Sequence, residues 1–162
     1  MTDANTPLLI TADEGTALGT AYLASLSKCF AANDFTSQHA MMADTVGWDW
    51  SGNVVGNGPK ADYYKVLEGS WQAIVSSFNP TNAFIVVDGQ QGKIIVTFDI
   101  VLIMDGRGAV PITQDQVFTG KNMFELTVDA DHKITNFRGI WDPVDPAMAK
   151  AMGAVLTAFG KK

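Results

Sequence analysis

The sequence predicts an α+β fold in which a curved antiparallel sheet wraps around N-terminal helices. Three observations predict it. Residues 92–142 read as three consecutive long strands, the last closing on Lys133-Ile134-Thr135-Asn136-Phe137-Arg138-Gly139-Ile140-Trp141-Asp142-Pro143. The half before them is helical, with Trp48 and Trp50 at its edge. Helices come first and a meander of strands follows, which separates the two kinds of element instead of alternating them. A sheet bent in this way leaves a deep apolar pocket.

Each element has a local reason. Thr11 or Asp13 can cap a first helix over 12–32, where Leu18, Tyr22, Leu26 and Phe30 recur every fourth residue. Asn33-Asp34 ends it. Thr36 or Ser37 opens a short helix through Met42. Residues 45–50 alternate, with Val46, Trp48 and Trp50 on one face and Thr45, Gly47 and Asp49 on the other, the pattern of a strand. Gly52, Gly56 and Gly58 mark turns. Pro59 begins a third helix over 59–78 with Tyr63, Tyr64, Leu67, Trp71, Ile74 and Val75 as its buried stripe. Asn79-Pro80 stops it. Strands follow over 83–88, 93–104 and 113–128, then the closing strand through Trp141, with turns at 89–92, 105–108 and 129–132. A last amphipathic helix spans 144–160, with Met148, Met152, Val155, Leu156 and Phe159 on one side, packed on the sheet, on a second subunit, or serving as a lid of adaptable methionines.

Composition bounds the function. At 162 residues, 47% hydrophobic and 17% charged, the chain reads as one globular domain, 1–162, with a core over about 12–143 and the helix 144–160 appended. A net charge of −6 and the lack of any basic run exclude a nucleic-acid partner. No apolar run reaches the roughly 18 residues of a membrane span. The N-terminus has no basic region before its short apolar run, and Cys29 is the lone cysteine; both fit a cytoplasmic location. Two histidines and one cysteine, unclustered, supply no metal-ligand spacing, and no Gly-rich phosphate loop precedes a helix. No metal or cofactor is expected.

Three stretches carry a family likeness: Phe30-Ala31-Ala32-Asn33-Asp34-Phe35 followed by Met41-Met42-Ala43-Asp44-Thr45-Val46; Asn122-Met123-Phe124-Glu125-Leu126 followed by Asp131-His132-Lys133-Ile134; and Phe137 through Pro143. In order and spacing they resemble the NTF2-like superfamily, which includes SnoaL-like polyketide cyclases, ketosteroid isomerases and scytalone dehydratase. The resemblance covers residues 15–143. It implies a cone of sheet around a cavity and a homodimer through the outer sheet face. Fold alone does not give function here.

With the cone as frame, strand parity names the inward residues: Gln116, Phe118, Asn122, Phe124 and Leu126 on one strand, Ile94 through Met104 at even positions on another, and Phe137 and Trp141 on the last, with Gly139 leaving room between them. The expected ligand-binding set is Tyr22, Leu26, Trp48, Trp50, Tyr64, Phe98, Ile100, Phe118, Phe137 and Trp141, with Gln116 and Asn122 as polar fixing points. Such a lining suits a small hydrophobic molecule; the alternative is that these rings simply fill the core.

Catalytic candidates are few. In the steroid-isomerase branch a carboxylate base, a helix-one tyrosine and a protonated acid act together. Their positions fall here on Trp50, Leu26 and Asn122, so two roles are empty and that chemistry is excluded. Asn122 can still hold an oxygen. His39, in the short helix beside Met41 and Met42, is either a buried structural histidine or a general base at the pocket mouth. Asp49 neighbours the base position with opposite parity; it is a surface residue unless a bulge turns it inward. The expectation is a cofactor-free isomerase, cyclase or dehydratase (lyase) of SnoaL-like type, with His39 or Asp49 as base and Asn122 as oxygen-binding donor. The alternative is a non-catalytic small-molecule-binding or dimeric assembly module.

Overall fold

The computed structural model describes residues 7–51, 54–67, 71–140 and 145–160. Helix α1 (Ala12–Ala32) has the predicted bounds because both ends are locally encoded. At its start the Glu14 N–H donates to Thr11 Oγ1 (3.3 Å) while Glu14 Oε2 accepts from the Thr11 N–H (2.9 Å), a capping box that satisfies donors the helix cannot. At its end Asn33 takes a left-handed conformation (φ 56°, ψ 36°), which asparagine tolerates. Tyr22, Leu26 and Phe30 are buried as the four-residue spacing requires.

Next come α2 (Thr36–His39), β1 (Met42–Trp50), β2 (Val54–Pro59), α3 (Lys60–Leu67), β3 (Ser77–Asp88), β4 (Lys93–Ile103), a 3₁₀ turn (Gln114–Gln116), β5 (Val117–Val128), β6 (Ile134–Ile140) and α4 (Pro146–Phe159). The six strands form one curved, unclosed sheet in the order β2-β1-β6-β5-β4-β3. All neighbours are antiparallel except β1 and β6, which run parallel. The expected all-antiparallel sheet is therefore corrected at one seam, because the chain's last strand inserts between its first and its fifth. Helix α1 lies in the concavity. It approaches β3 so closely that a Cβ on Gly15 would sit 2.7 Å from the Val87 methyls. The even positions of β4, from Ile94 to Leu102, are buried, and so are Phe124 and Leu126 of β5.

Further expectations change. Val54–Pro59, read as turns, is a strand: Gly56 faces Trp48 across the β1–β2 ladder, where a Cβ would meet the indole at 2.3 Å. Glycine there accommodates a ring rather than marking a bend. The third helix is described over Lys60–Leu67, residues 68–70 lie outside the described set, and 71–74 are helical again, so the helical region stops short of residue 78. Its apolar spacing fits a helix, but pairing with β4 takes the chain from Ser77 onward into β3, with Pro80 opposite Ile100. Proline is admissible because β3 is a sheet edge, where one missing N–H need not break a ladder. The strand expected from residue 113 begins at Val117, and the short helix stops at His39, leaving Met42 to start β1. At α4 the cap is Asp145, whose Oδ1 accepts from the N–H groups of Ala147 (2.8 Å) and Met148 (3.1 Å). Trp141 and Asp142 lie outside the described residues. No described helix is long and apolar enough to cross a membrane.

Candidate functional site

The site forms where the concave sheet face meets the helices. Tyr22, Leu26 and Phe30 come from α1, Tyr63 and Leu67 from α3, and Trp71 and Val75 from the segment after it. The sheet supplies Trp50, Phe78, Leu102, Asn122, Phe124 and Phe137, and α4 supplies Met148. The rings touch in series. Trp50 stacks on Trp71 (centroids 6.0 Å, 20°) and packs on Phe137 at 5.1 Å; Phe137 meets Phe124 at 5.0 Å and Tyr22 at 6.0 Å. Edge and offset contacts of this kind fix ring orientation as well as burying area.

The rings fill much of the cone. The enclosed void is about 30 Å³, set in an atom-free volume of about 500 Å³ that includes the open mouth. The smaller figure decides what fits without movement: one or two water-sized groups. A larger ligand has to displace part of the wall. A second recess, of about 380 Å³, lies against Thr97, Asp99, Lys121 and Met123 of β4 and β5. It is wider, but it is more open, more polar in its lining and includes the Asp99–Lys121 ion pair, so the enclosed aromatic cavity is the stronger candidate for an organic ligand.

Arg107 holds one wall in position. Its own backbone is left-handed (φ 55°). The guanidinium donates from Nε to the Gln72 carbonyl (2.6 Å), from Nη1 and Nη2 to the Phe30 carbonyl (3.1 Å each), and from Nη2 to the Val75 carbonyl (3.1 Å). Phe30 belongs to the last turn of α1, whose carbonyls lack helical partners and carry the negative end of the helix dipole. One cation thus ties α1 to the 71–75 segment, and both line the cavity.

The polar character of the cavity is neutral. Burial, with the neighbouring Tyr63 and Tyr64 hydroxyls adding, pushes the Tyr22 phenol well above its ordinary value; burial does the same for Tyr63 and Tyr64. All three stay protonated at any physiological pH, so they donate hydrogen bonds and do not act as bases. Asn122 is half-buried on the wall, and its Oδ1 is buried with no hydrogen-bond partner among the described residues. Tyr22 Oη and the Gln38 amide are fully buried and interact with each other, and the Tyr22 hydroxyl also with that of Tyr63, though none of these contacts reaches good hydrogen-bond geometry. Among the described residues no cluster of three His, Cys, Asp or Glu could hold a metal.

Of the residues expected from sequence, the structure brings Tyr22, Leu26, Trp50, Asn122 and Phe137 together on the cavity wall. Trp48 lies over Gly56, Tyr64 packs behind Tyr63, and Phe98 and Ile100 are buried in the sheet core. Gln116 Oε1 accepts from Thr113 Oγ1 (2.6 Å), and the Phe118 ring lies against Gly120. None of these six is on the wall of the enclosed cavity. His39 is half-buried and stacked on Tyr64 (3.5 Å between centroids), one ring further out. Asp49 lies opposite Arg138 in the β1–β6 ladder and pairs with its Nε at 3.4 Å. Sequence reasoning missed Phe30, Tyr63, Trp71, Phe78, Phe124 and Met148 as lining residues, although each was assigned to a buried stripe or an inward face except Phe78. It also missed Gln38, whose neighbour His39 drew the attention. The helix places Gln38, not His39, inward.

The fold, a curved six-stranded sheet enclosing its N-terminal helices around a cavity, is similar to that of solved polyketide cyclase-like and NTF2-like proteins. Solved structures bear this out at the level of fold. A candidate polyketide cyclase from Pseudomonas putida KT2440 aligns with TM-score 0.65 at 17% identity, over 83% of this chain and 96% of that one. An NTF2-like protein from Anabaena variabilis ATCC 29413 aligns with TM-score 0.63 at 9% identity, over 82% and 92%. TerC, co-crystallised with polyporic acid, aligns with TM-score 0.59 at 14% identity, over 84% and 98%. No protein-family model matches the chain and no curated protein matches its sequence.

Proposed function

We propose that the protein binds a small, largely apolar organic molecule in the cavity walled by Trp50, Trp71, Phe124 and Phe137. The observation that carries this reading is a polar atom left unpaired inside an aromatic enclosure: Asn122 Oδ1 is buried with no hydrogen-bond partner among the described residues, and its side chain belongs to the wall. A core selected only for stability pairs such groups or replaces them, since each unpaired one costs about 1–3 kcal/mol. The fold-level likeness to a candidate polyketide cyclase and to TerC crystallised with polyporic acid agrees with a small-molecule role. The test is native mass spectrometry of the purified protein. A small-molecule adduct should be present, should leave in organic solvent, and should be missing from a Leu26→Trp variant that fills the cavity. A protein that stays empty and takes up no apolar compound would overturn the reading.

As an enzyme the protein would be a cofactor-free isomerase, cyclase or dehydratase that moves a proton, and Asn122 favours that second reading by placing an amide beside a reacting oxygen. The base would be His39 or Asp49, both of which stand off the cavity wall, so one of them would have to move inward. Conversion of the bound compound that is lost in Asn122→Leu and in His39→Phe or Asp49→Asn would establish this. A bound compound left unchanged over hours would make the protein a binding or assembly module. We assign the dimer to the outer sheet face, where Phe84 and Val86 are exposed on β3, and the location to the cytoplasm; sedimentation and fractionation of cells would check these.

A further inference from the structure

We propose that helix α4 is the entrance to the cavity: a ligand enters by displacing it, and Met148 is the side chain that gives way. The inference rests on reading the cavity as a ligand site. The enclosed void of about 30 Å³ admits one or two water-sized groups, so an organic ligand must move a wall. The walls are not held alike. The strands are locked into the sheet ladders. Helix α1 is tied to Arg107 through the Phe30 carbonyl, and to Gln72, whose Nε2 donates to Asn33 Oδ1 at 2.6 Å. The 71–75 segment is tied by the same Arg107 and by the Gly106 N–H, which donates to the Ile74 carbonyl at 3.0 Å. Helix α3 follows β2 directly, and its Tyr64 hydroxyl reaches Met42 Sδ at 3.5 Å.

Helix α4 is the exception. Among the described residues it makes no hydrogen bond to another element; those of Asp145 and Thr157 stay within the helix and its cap. Its polar link to the rest of the described fold is the ion pair of Lys150 Nζ with Asp115 Oδ1 at 2.9 Å. Both side chains are more than half exposed (66% and 54%), so water and salt weaken the pair. What holds α4 is a stripe of apolar side chains. Met148, Ala151 and Val155 are buried, and Met152 and Phe159 pack half-buried against the core. Apolar contact is non-directional, so a helix held by it can shift without leaving a backbone group unpaired. The stripe has two unlike ends. At one, Val155 is seated on Gly106, where a Cβ would fall 2.6 Å from the Val155 Cγ1. At the other, Met148 stands on the cavity wall. Its unbranched thioether adapts to different neighbours, so it can leave its place and repack on a ligand. The helix thus pivots on Val155 and opens at Met148.

The test uses the full chain and N-phenyl-1-naphthylamine, an uncharged fluorescent probe larger than the void, mixed by stopped flow. If α4 opens first, the observed binding rate should level off at high probe concentration, and the plateau is the opening rate. Lys150→Ala should raise the plateau by about threefold, as an exposed pair allows, and Asp115→Asn should match it. Both side chains are exposed, so neither change should disturb the fold. Raising the ionic strength should speed the wild type in the same way and leave Lys150→Ala unaffected. Association and dissociation should rise together, with Kd within about twofold, because Met148 docks again on the bound probe. Thr11→Ala removes the α1 cap and no contact of α4, so it should leave the plateau unchanged. Hydrogen exchange should be equally selective: Lys150→Ala should speed the amides of α4 and not those of β4. A rate that stays linear in probe concentration, a plateau indifferent to Lys150→Ala and Asp115→Asn, or one that Thr11→Ala raises as much, would each overturn the entrance at α4 while leaving the cavity a ligand site. If the probe bound neither the wild type nor Lys150→Ala, the cavity reading itself would fail.

Discussion

Replacing Arg107 with methionine tests how the cavity wall is held. Methionine keeps the aliphatic stem and is no more strained than arginine at φ 55°, so the change isolates the guanidinium. Four donor contacts are lost, but two of them go to one carbonyl, so three acceptors are affected: Phe30, Gln72 and Val75. A net hydrogen bond contributes about 1 kcal/mol, somewhat more when one partner is charged. The guanidinium is only partly buried and water can replace some of these bonds, which lowers the sum to about 2–3 kcal/mol. At this chain length that corresponds to a fall in Tm of about 5–10 °C. Arg107→Lys keeps the charge but not the fork that reaches three carbonyls at once, so it should recover less than half of the loss. Urea unfolding followed by circular dichroism measures both variants. Because Trp71 and Val75 sit on the tethered segment, Arg107→Met should also weaken binding of any cavity ligand beyond its effect on stability. A change under about 0.5 kcal/mol, with ligand affinity intact, would refute the idea that this cation shapes the wall.

Other outcomes follow from single contacts. Gly56→Ala should destabilise by about 1–3 kcal/mol and alter tryptophan fluorescence, since its Cβ would fall 2.3 Å from the Trp48 indole and one of the two must shift. Thr11→Ala should cost about 1 kcal/mol through loss of the capping box, read from thermal melts. The Asn82 amide, and then the Lys121 ammonium, hold the Asp99 carboxyl below the usual carboxylate value. A depressed value means the contribution is complete above the unfolded-state pKa and disappears as pH falls through the folded-state one. The wild type should therefore lose stability relative to Asp99→Asn only below a pH of about 4. A constant difference between the two across the acid range would contradict this.

Some of the fold was legible because the information is local. Thr11, Glu14 and Asn33 encode both ends of α1 within a few residues. The alternation of Ile94, Val96, Phe98, Ile100 and Leu102 fixes which face of β4 turns inward, since side chains on a strand alternate by necessity. The point where the third helical region gives way to a strand was not legible. Trp71, Ile74 and Val75 keep a helical spacing, but only the presence of β4 alongside shows that Ser77 onward pairs as an edge strand. The parallel β1–β6 seam has no local signature either, because parallel neighbours are far apart in sequence.

The same division runs through the site. With the cone that the family resemblance implies as frame, helix spacing and strand parity placed Tyr22, Leu26, Trp50, Asn122 and Phe137 in one aromatic, apolar enclosure. They could not say that the rings nearly fill it, that Trp48 is spent on Gly56, or that Gln38 rather than His39 faces the core. Helix and strand periods tell which way a side chain leaves its own backbone. What it meets there depends on how closely distant elements approach, and that is set by glycines such as Gly15 and by tethers such as Arg107, which act only once the chain is folded.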